Sequence, residues 1–509
     1  MRNYDAIVIG SGFGGSMAAH QLINAGLSVL MLERGDWVKR GAENWGIKGS
    51  VDLSPFYDKT TPVHVAAGGN KKIMGLYSCV GGPSVFYGGV SFRFREEDFE
   101  KNEQIVGKKG EGWPIKYDDL EPYYTQAEKI LNISGETGID PTEPKRSAPF
   151  PQAPPPLASI SQRVKSGALE LGLHPFQLPL AINYEDKQRE ACAQCGNCDT
   201  FACSISAKND LSTMVLPGLV VAGMQLKPNM VVVKLIVEKN RITGVECVSK
   251  ENGEKHIYKS QLTILAAGAL GSPHILLSSG LQNKNPGGEV IGRFLMRHLN
   301  AIIFGIFPGV ADKEGRFHKQ VAILDYYFGH PATTQYNKLG SLQQMPTPPM
   351  GLVQNEIPGP AGKLLSQGVK LLSGLLAIAE DQPQFSNSLT LDPTYKDKFG
   401  LPRPVVFHQY SERDVASVNI LIREAKKIMS KAGAIANYVH NIRTFSHAVG
   451  TVRMGVNEAT SALDSNCRFR GIENLYVTDG SVMPTSAALN PSLTIAANAL
   501  RVGQLITKS

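Results

Sequence analysis

Tyr4-Asp-Ala-Ile-Val-Ile-Gly10-Ser-Gly12-Phe13-Gly14-Gly15 is the stretch on which the reading of this chain turns. Ala6–Ile9 is a short, wholly apolar run of the kind that forms a buried strand. It leads directly into Gly-x-Gly-x-x-Gly. Gly10 permits a tight turn, Gly12 lets the backbone approach a pyrophosphate, and Gly15 lets the following helix pack closely on the strand. That helix is expected from Ser16 to Ala25, ending at Gly26, with its free amides and dipole aimed at the phosphates. Leu27–Leu32 reads as the next strand, with Glu33 at its end. A carboxylate there accepts hydrogen bonds from both ribose hydroxyls and repels a 2′-phosphate, which favours FAD or NAD over NADP. Gly10, Gly12, Phe13, Gly14, Gly15 and Glu33 are therefore candidate cofactor-binding residues.

A chain of 509 residues is long for one hydrophobic core, so two domains are expected. Apolar content of 42% with 19% charged residues describes an ordinary globular protein. The net charge of +7 is mild for this length, and no long Lys/Arg run points to nucleic acid. No stretch has the length of a membrane span. The first strand starts at about the fourth residue, ahead of which a signal peptide does not fit, so the expected location is cytoplasmic. Seven cysteines, an odd number, argue against a disulfide scaffold, although four of them fall between Cys192 and Cys203.

Further along, residues 79–94 form a second glycine-rich segment suited to close approach of backbone to a flat ligand. A helical pattern runs to about Leu131, and Pro141–Pro156 reads as a surface crossing. Met230–Glu238, a Lys239-Asn240 turn and Arg241–Val248 read as a hairpin. Leu262–Ala267 is a buried strand that opens another helix at Gly268. This alternation indicates an α/β nucleotide-binding domain. From 301 to 440 strand-like runs at Ala301–Phe307 and Gln320–Phe328 alternate with loops. Met345–Pro360 carries five prolines and no regular period, and Lys363–Glu380 reads as an apolar helix.

Four segments together resemble the glucose–methanol–choline (GMC) family of FAD-dependent oxidoreductases. They are Gly10-x-Gly12-x-x-Gly15; Gly81-Gly82-Pro-Ser84-Val-Phe-Tyr87-Gly; Gly268-Ala-Leu-Gly-Ser-Pro-His-Ile-Leu-Leu-Ser-Ser-Gly280; and His447-Ala-Val-Gly-Thr, Val477-Thr-Asp479-Gly480 and Asn490-Pro491-Ser-Leu493-Thr-Ile495. The resemblance implies a discontinuous Rossmann-like FAD domain (1–100, 190–300 and 445–509). It implies with it an α+β substrate domain built on an antiparallel sheet (101–189 and 301–444). It also implies cofactor contacts at Gly82, Ser84, Tyr87, Ala267 and the backbone of Val233. Asp479 and Gly480 would hold the ribityl or phosphate portion, and the helix after Pro491, with Leu493 in its first turn, would point at the flavin. Some relatives attach the flavin covalently through a histidine in the second glycine-rich segment; residues 79–94 contain none, so FAD is expected to bind non-covalently.

Oxidising an alcohol removes a hydroxyl proton and a hydride from carbon. An imidazole with a pKa near the working range suits the proton, and His447 matches the family's catalytic histidine. Asn490 would orient the substrate oxygen beside it. The substrate would be a sugar or glycoside, a sterol or another alcohol. The electron acceptor would be oxygen, a dye-like acceptor or a redox protein. A lyase with structural FAD and an electron-relay subunit remain as rivals. Cys192-x2-Cys195-x2-Cys198-x4-Cys203 is close to a ferredoxin run, but Ser204 stands where that run has proline. An iron–sulfur cluster, structural zinc and unliganded buried thiols are all open for these four residues.

Overall fold

Strand Asn3–Ile9 lies inside a seven-stranded sheet because every side chain from Ala6 to Ile9 is buried on both faces. The computed structural model describes residues 3–508 except 68–69, 109, 186–188, 317–318, 332, 443 and 446. The strand pairs in parallel with Val29–Leu32 on one side (Ala6 opposite Val29) and with Lys255–Leu265 on the other (Ala6 opposite Leu262). Gln225–Lys227 and Leu475–Val477 extend this parallel core outward. The first half of Lys255–Leu265 turns antiparallel and pairs with Arg241–Ser249, which pairs in turn with Met230–Glu238. The expected hairpin is therefore present, with a three-stranded meander beyond it.

Helix Phe13–Asn24 covers one face of the parallel core and is itself covered by the last helix, Ser492–Lys508. Their approach is close: a Cβ on Gly503 would come within 2.8 Å of Gln21 Cβ. Helix Tyr117–Ile130 packs on the outer side of Ser492–Lys508, and the two are joined by a 2.7 Å hydrogen bond between Tyr124 and Thr494 hydroxyls.

The second layer is a six-stranded antiparallel sheet in the order Ala436–Asn441, Leu299–Ile306, Leu372–Ala379, Gly340–Met345, Val321–Ile323, Phe176–Gln177. Helix Glu412–Lys431 buries Val418, Leu421, Ala425 and Ile428 against it. A reciprocal cap starts that helix: Asp414 N–H donates to Ser411 Oγ, and Ser411 N–H donates to the Asp414 carboxylate. A four-stranded sheet (Ser388–Lys396, Pro402–Phe407, Tyr57–Ala67, Asn70–Tyr77) closes the side.

Three expectations for residues 301–440 are corrected. Leu372–Ala379 is a strand near the middle of the sheet, and only Pro360–Gln367 is α-helical in the stretch read as one apolar helix. Leu375 and Ala377 face helix Glu412–Lys431 while Leu376 and Ile378 fill a cluster on the opposite face, so the run has no polar side and no alternation. Within Gln320–Phe328 only Val321–Ile323 pairs as strand. Met345–Pro360, expected to be irregular, contains helix Met350–Glu356, which begins directly after Pro349.

Candidate active site

The glycine loop is built by backbone contacts that exclude side chains. Gly10 has φ of +99°, and a Cβ there would sit 2.3 Å from the Ala266 carbonyl oxygen, beside Ala267. A Cβ on Gly14 would meet Thr478 O at 2.5 Å, next to Asp479, and one on Gly15 would meet Gly10 O at 1.9 Å. Gly12 differs: nothing lies within 4 Å of where its Cβ would be. The loop therefore leaves one open flank at the head of helix Phe13–Asn24, as a pyrophosphate needs. Gly82, in the second glycine-rich segment, comes to that flank, 3.1 Å from Gly12 Cα by the same measure. These features fit a dinucleotide.

Glu33 is buried, and both its oxygens are held. Ser11 donates to Oε2 from its N–H (3.0 Å) and hydroxyl (2.6 Å), and Gly35 N–H donates to Oε1 at 2.8 Å. Burial pushes the carboxyl above the usual range while these donors pull it back. Met230 N–H donates to Glu33 O at 2.8 Å, which ties the strand carrying Val233 to the same edge. Asp479 accepts from Gly268 N–H and Ser272 Oγ on one oxygen and from Ser481 N–H on the other. It joins the heads of two helical segments beside Gly14 and Gly480. Ser84 donates to Gly81 O and accepts from Leu211 N–H, and Tyr87 donates to Asn209 O with its ring 5.6 Å from that of Phe13. Pro491 and Leu493 are buried in the first turn of Ser492–Lys508.

At the head of that last helix the structure brings His447 and Asn490 together. Asn490 Nδ2 lies 3.4 Å from His447 Nε2, and both residues are mostly enclosed while keeping a little exposure. Two further residues complete the cluster, and neither was evident in the sequence. Gln343, fully buried on Gly340–Met345, donates from Nε2 to Asn490 Oδ1 at 2.9 Å. His298, at the start of Leu299–Ile306, places its Nδ1 3.0 Å from His447 Nδ1. Burial drives His447 well below the ordinary histidine value, with His298 and the Lys319 ammonium pushing the same way. His298 is lowered by burial too.

Lys319 is paired with Asp199 at 2.9 Å, and the pair lies against Gly88, where a Cβ would come within 2.0 Å of Asp199 Oδ1. Asp199 sits between Cys198 and Cys203, so the cysteine loop delivers a charge to the site. The metal expectation for Cys192, Cys195, Cys198 and Cys203 gains no donor set. All four are free thiols, and among the described residues no three His, Cys, Asp or Glu side chains are placed to hold a metal ion. Lysine supplies the scaffold instead. Buried Lys208 Nζ donates to the carbonyls of Tyr87 (2.8 Å), Cys198 (2.9 Å) and Phe201 (2.7 Å). Lys208→Met is expected to leave those carbonyls without a donor, at about 1–3 kcal/mol apiece if they stay buried. Modification of the buried Cys198 thiol by a maleimide, followed by peptide mass spectrometry, should then accelerate about tenfold or more. An unchanged rate would remove the clamp assignment.

A parallel nucleotide-type sheet joined to an antiparallel sheet, with an imidazole–amide pair between them, is the layout of a dinucleotide-dependent oxidoreductase. The chain belongs to the GMC oxidoreductase family: the family's amino-terminal model matches residues 4–300 and its carboxy-terminal model residues 383–499. It is 30% identical to 6'''-hydroxyparomomycin C oxidase of Streptomyces lividus, over 99% of this chain and 91% of that one. It is 28% identical to 2-methyl-1,2-propanediol dehydrogenase of Mycolicibacterium austroafricanum (99% and 95% covered). It is 26% identical to the fructose dehydrogenase large subunit of Gluconobacter japonicus (99% and 97% covered). Among solved structures, pyridoxine 4-oxidase from Mesorbium loti superimposes with a TM-score of 0.71 at 18% identity, covering 99% of both chains. The expected fold and family are thereby established. No helix among the described residues is long and apolar enough to cross a membrane.

Proposed function

We propose that this protein is an FAD-dependent oxidoreductase of CH–OH groups in which His447 takes the hydroxyl proton. The observation that carries the reading is the His447–Asn490 pair. It presents one acceptor and one donor, 3.4 Å apart, to a single hydroxyl group at the head of helix Ser492–Lys508. FAD, bound non-covalently, would supply the hydride acceptor. Residues 1–100, 190–300 and 445–509 would hold it, with Gly10–Gly15 around the pyrophosphate and Glu33 at the ribose. Val233 backbone would meet the adenine, and Gly82, Ser84, Tyr87 and Ala267 would line its length. Asp479 and Gly480 would face the ribityl chain, and Pro491 and Leu493 would bring the helix end to the ring.

The remaining steps belong to the protein. The substrate hydroxyl displaces the direct Asn490–His447 contact, donates to His447 Nε2 and accepts from Asn490 Nδ2. Gln343 keeps that amide from flipping by occupying Asn490 Oδ1. Burial keeps the imidazole neutral and therefore able to accept. Substrates are sugars, glycosides or other polyols. The buried Gln343 amide and the Lys319–Asp199 pair form a polar neighbourhood, and the relatives named above include enzymes named for 6'''-hydroxyparomomycin C and for fructose.

The test is an anaerobic screen of sugars, aminoglycosides, diols and sterols, read by bleaching of the protein-bound flavin. Bleaching by a polyol supports the reading; a colourless protein, or one no alcohol bleaches, overturns it. Asn490→Leu should then raise KM and lower the limiting rate, together costing about tenfold to a hundredfold in kcat/KM through loss of one oriented donor.

A further inference from the structure

We infer that His298 is a positioning residue that fixes which ring nitrogen of His447 carries the proton. The inference rests on the proposed role of His447 as the proton acceptor and deepens it. Four hydrogen bonds in series define the arrangement. His298 Nε2 lies 3.1 Å from the Ser486 carbonyl oxygen, which can only accept, so the Nε2 of His298 carries hydrogen. In a neutral His298 the other nitrogen, Nδ1, is then a bare acceptor. It faces His447 Nδ1 at 3.0 Å, and two bare nitrogens would repel at that distance, so His447 Nδ1 carries the hydrogen and donates. A neutral His447 is left with its lone pair on Nε2, the atom that faces Asn490 and the substrate.

The other end of the series, with the two amides oriented as they stand, is consistent with this polarity. Gln343 Nε2 donates to Asn490 Oδ1, so Asn490 presents its Nδ2 hydrogens to His447 Nε2, which must be an acceptor to receive them. The series thus runs with consistent polarity from Gln343 through Asn490, His447 and His298 to Ser486. Only in this sense does the proton-accepting nitrogen face the hydroxyl.

The backbone shows a cost borne for this geometry. His298 has φ of +61°, in the left-handed region that non-glycine residues enter rarely. Tyr410 OH donates to His298 O at 2.8 Å and holds the turn, and the ring itself is buried between His447 and Ser486.

Two measurements on the flavin-loaded protein test the assignment. In protein labelled with 15N in its histidines, the ring shifts should show His447 as the Nδ1–H tautomer and His298 as the Nε2–H tautomer. His298→Gln identifies which signals belong to His298. Assignment of His447 as the Nε2–H tautomer would overturn the inference. In anaerobic flavin reduction, His298→Gln keeps an acceptor towards His447 and a donor towards Ser486, whereas His298→Leu has neither. The limiting rate should stay within about tenfold of the parent in His298→Gln and fall about a hundredfold in His298→Leu, with KM little changed in both. Equal rates in the two variants at full flavin content would also overturn it. If the parent itself is bleached by no alcohol, the proposed function fails instead, while the tautomer measurement still decides the role of His298.

Discussion

His447→Ala is expected to yield a protein that remains yellow but whose flavin is reduced by substrate about 10²- to 10⁴-fold more slowly, the range for loss of a positioned general base. Flavin content should be unaffected, because His447 lies with Asn490 and His298 and not in the glycine loop. The pH profile gives a second reading. Burial, aided by His298 and Lys319, holds His447 well below 6.5, so the accepting form persists as pH falls through that value. The parent's limiting rate should accordingly stay level through pH 6.5 and drop only in more acidic solution. Stopped-flow reduction across pH, compared between parent and variant, measures both effects. A variant as fast as the parent would remove His447 from the chemistry.

The second large effect concerns Gly15→Ala. Its added methyl group would stand 1.9 Å from the Gly10 carbonyl oxygen, well inside any tolerated contact. The obstructing atom is backbone of the phosphate-binding turn, so no side chain can swing aside. Helix Phe13–Asn24 must move away from the strand, and the amides at its head move with it. Overpacking of this kind costs about 1–3 kcal/mol or more in a close-packed core. Its functional price is larger, since retention of the dinucleotide depends on the position of those amides. The purified variant is expected to carry less than about a tenth of the parent's flavin, read as flavin absorbance per protein. Full loading would contradict the assignment of the loop. Gly12→Ala is a useful companion: space exists for its methyl in the protein alone, so any loss of flavin there reports the ligand and not the fold.

The cradle could be read from the sequence because its constraints are local. A strand, a glycine-rich turn, a helix and an acidic residue follow one another within 33 residues, and each leaves its own mark on composition. The hairpin at 230–249 was legible from two β-branched, apolar-rich runs around a two-residue turn. The family resemblance brought His447 and Asn490 into view. Gln343 and His298 stayed hidden because nothing near them in the chain marks them: Gln343 reaches the site from a strand of the antiparallel sheet and His298 from the residue ahead of another. The positive φ of His298 is a property of coordinates and leaves no trace in the letters. Strand Leu372–Ala379 was misread for a related reason. Burial on both sides erases the period that separates strand from helix, and eight residues are too few for length to decide. The cysteine spacing left three readings open, and what it did not disclose is that the loop is held by Lys208 and carries Asp199.

The pairing of helix Phe13–Asn24 with helix Ser492–Lys508 bears on biosynthesis. Helix Phe13–Asn24 is translated well before Ser492–Lys508, so the face it turns to that helix, at Ala18 and Gln21, stays uncovered until Ser492–Lys508 has been made. At ordinary elongation speeds of about 5–20 residues per second that is an interval of roughly 25 to 95 seconds during which this face awaits its cover. Chaperone supply should therefore govern yield in recombinant hosts, and a stop codon ahead of Ser492 should send the product to inclusion bodies, even though every strand of the nucleotide sheet has by then been translated.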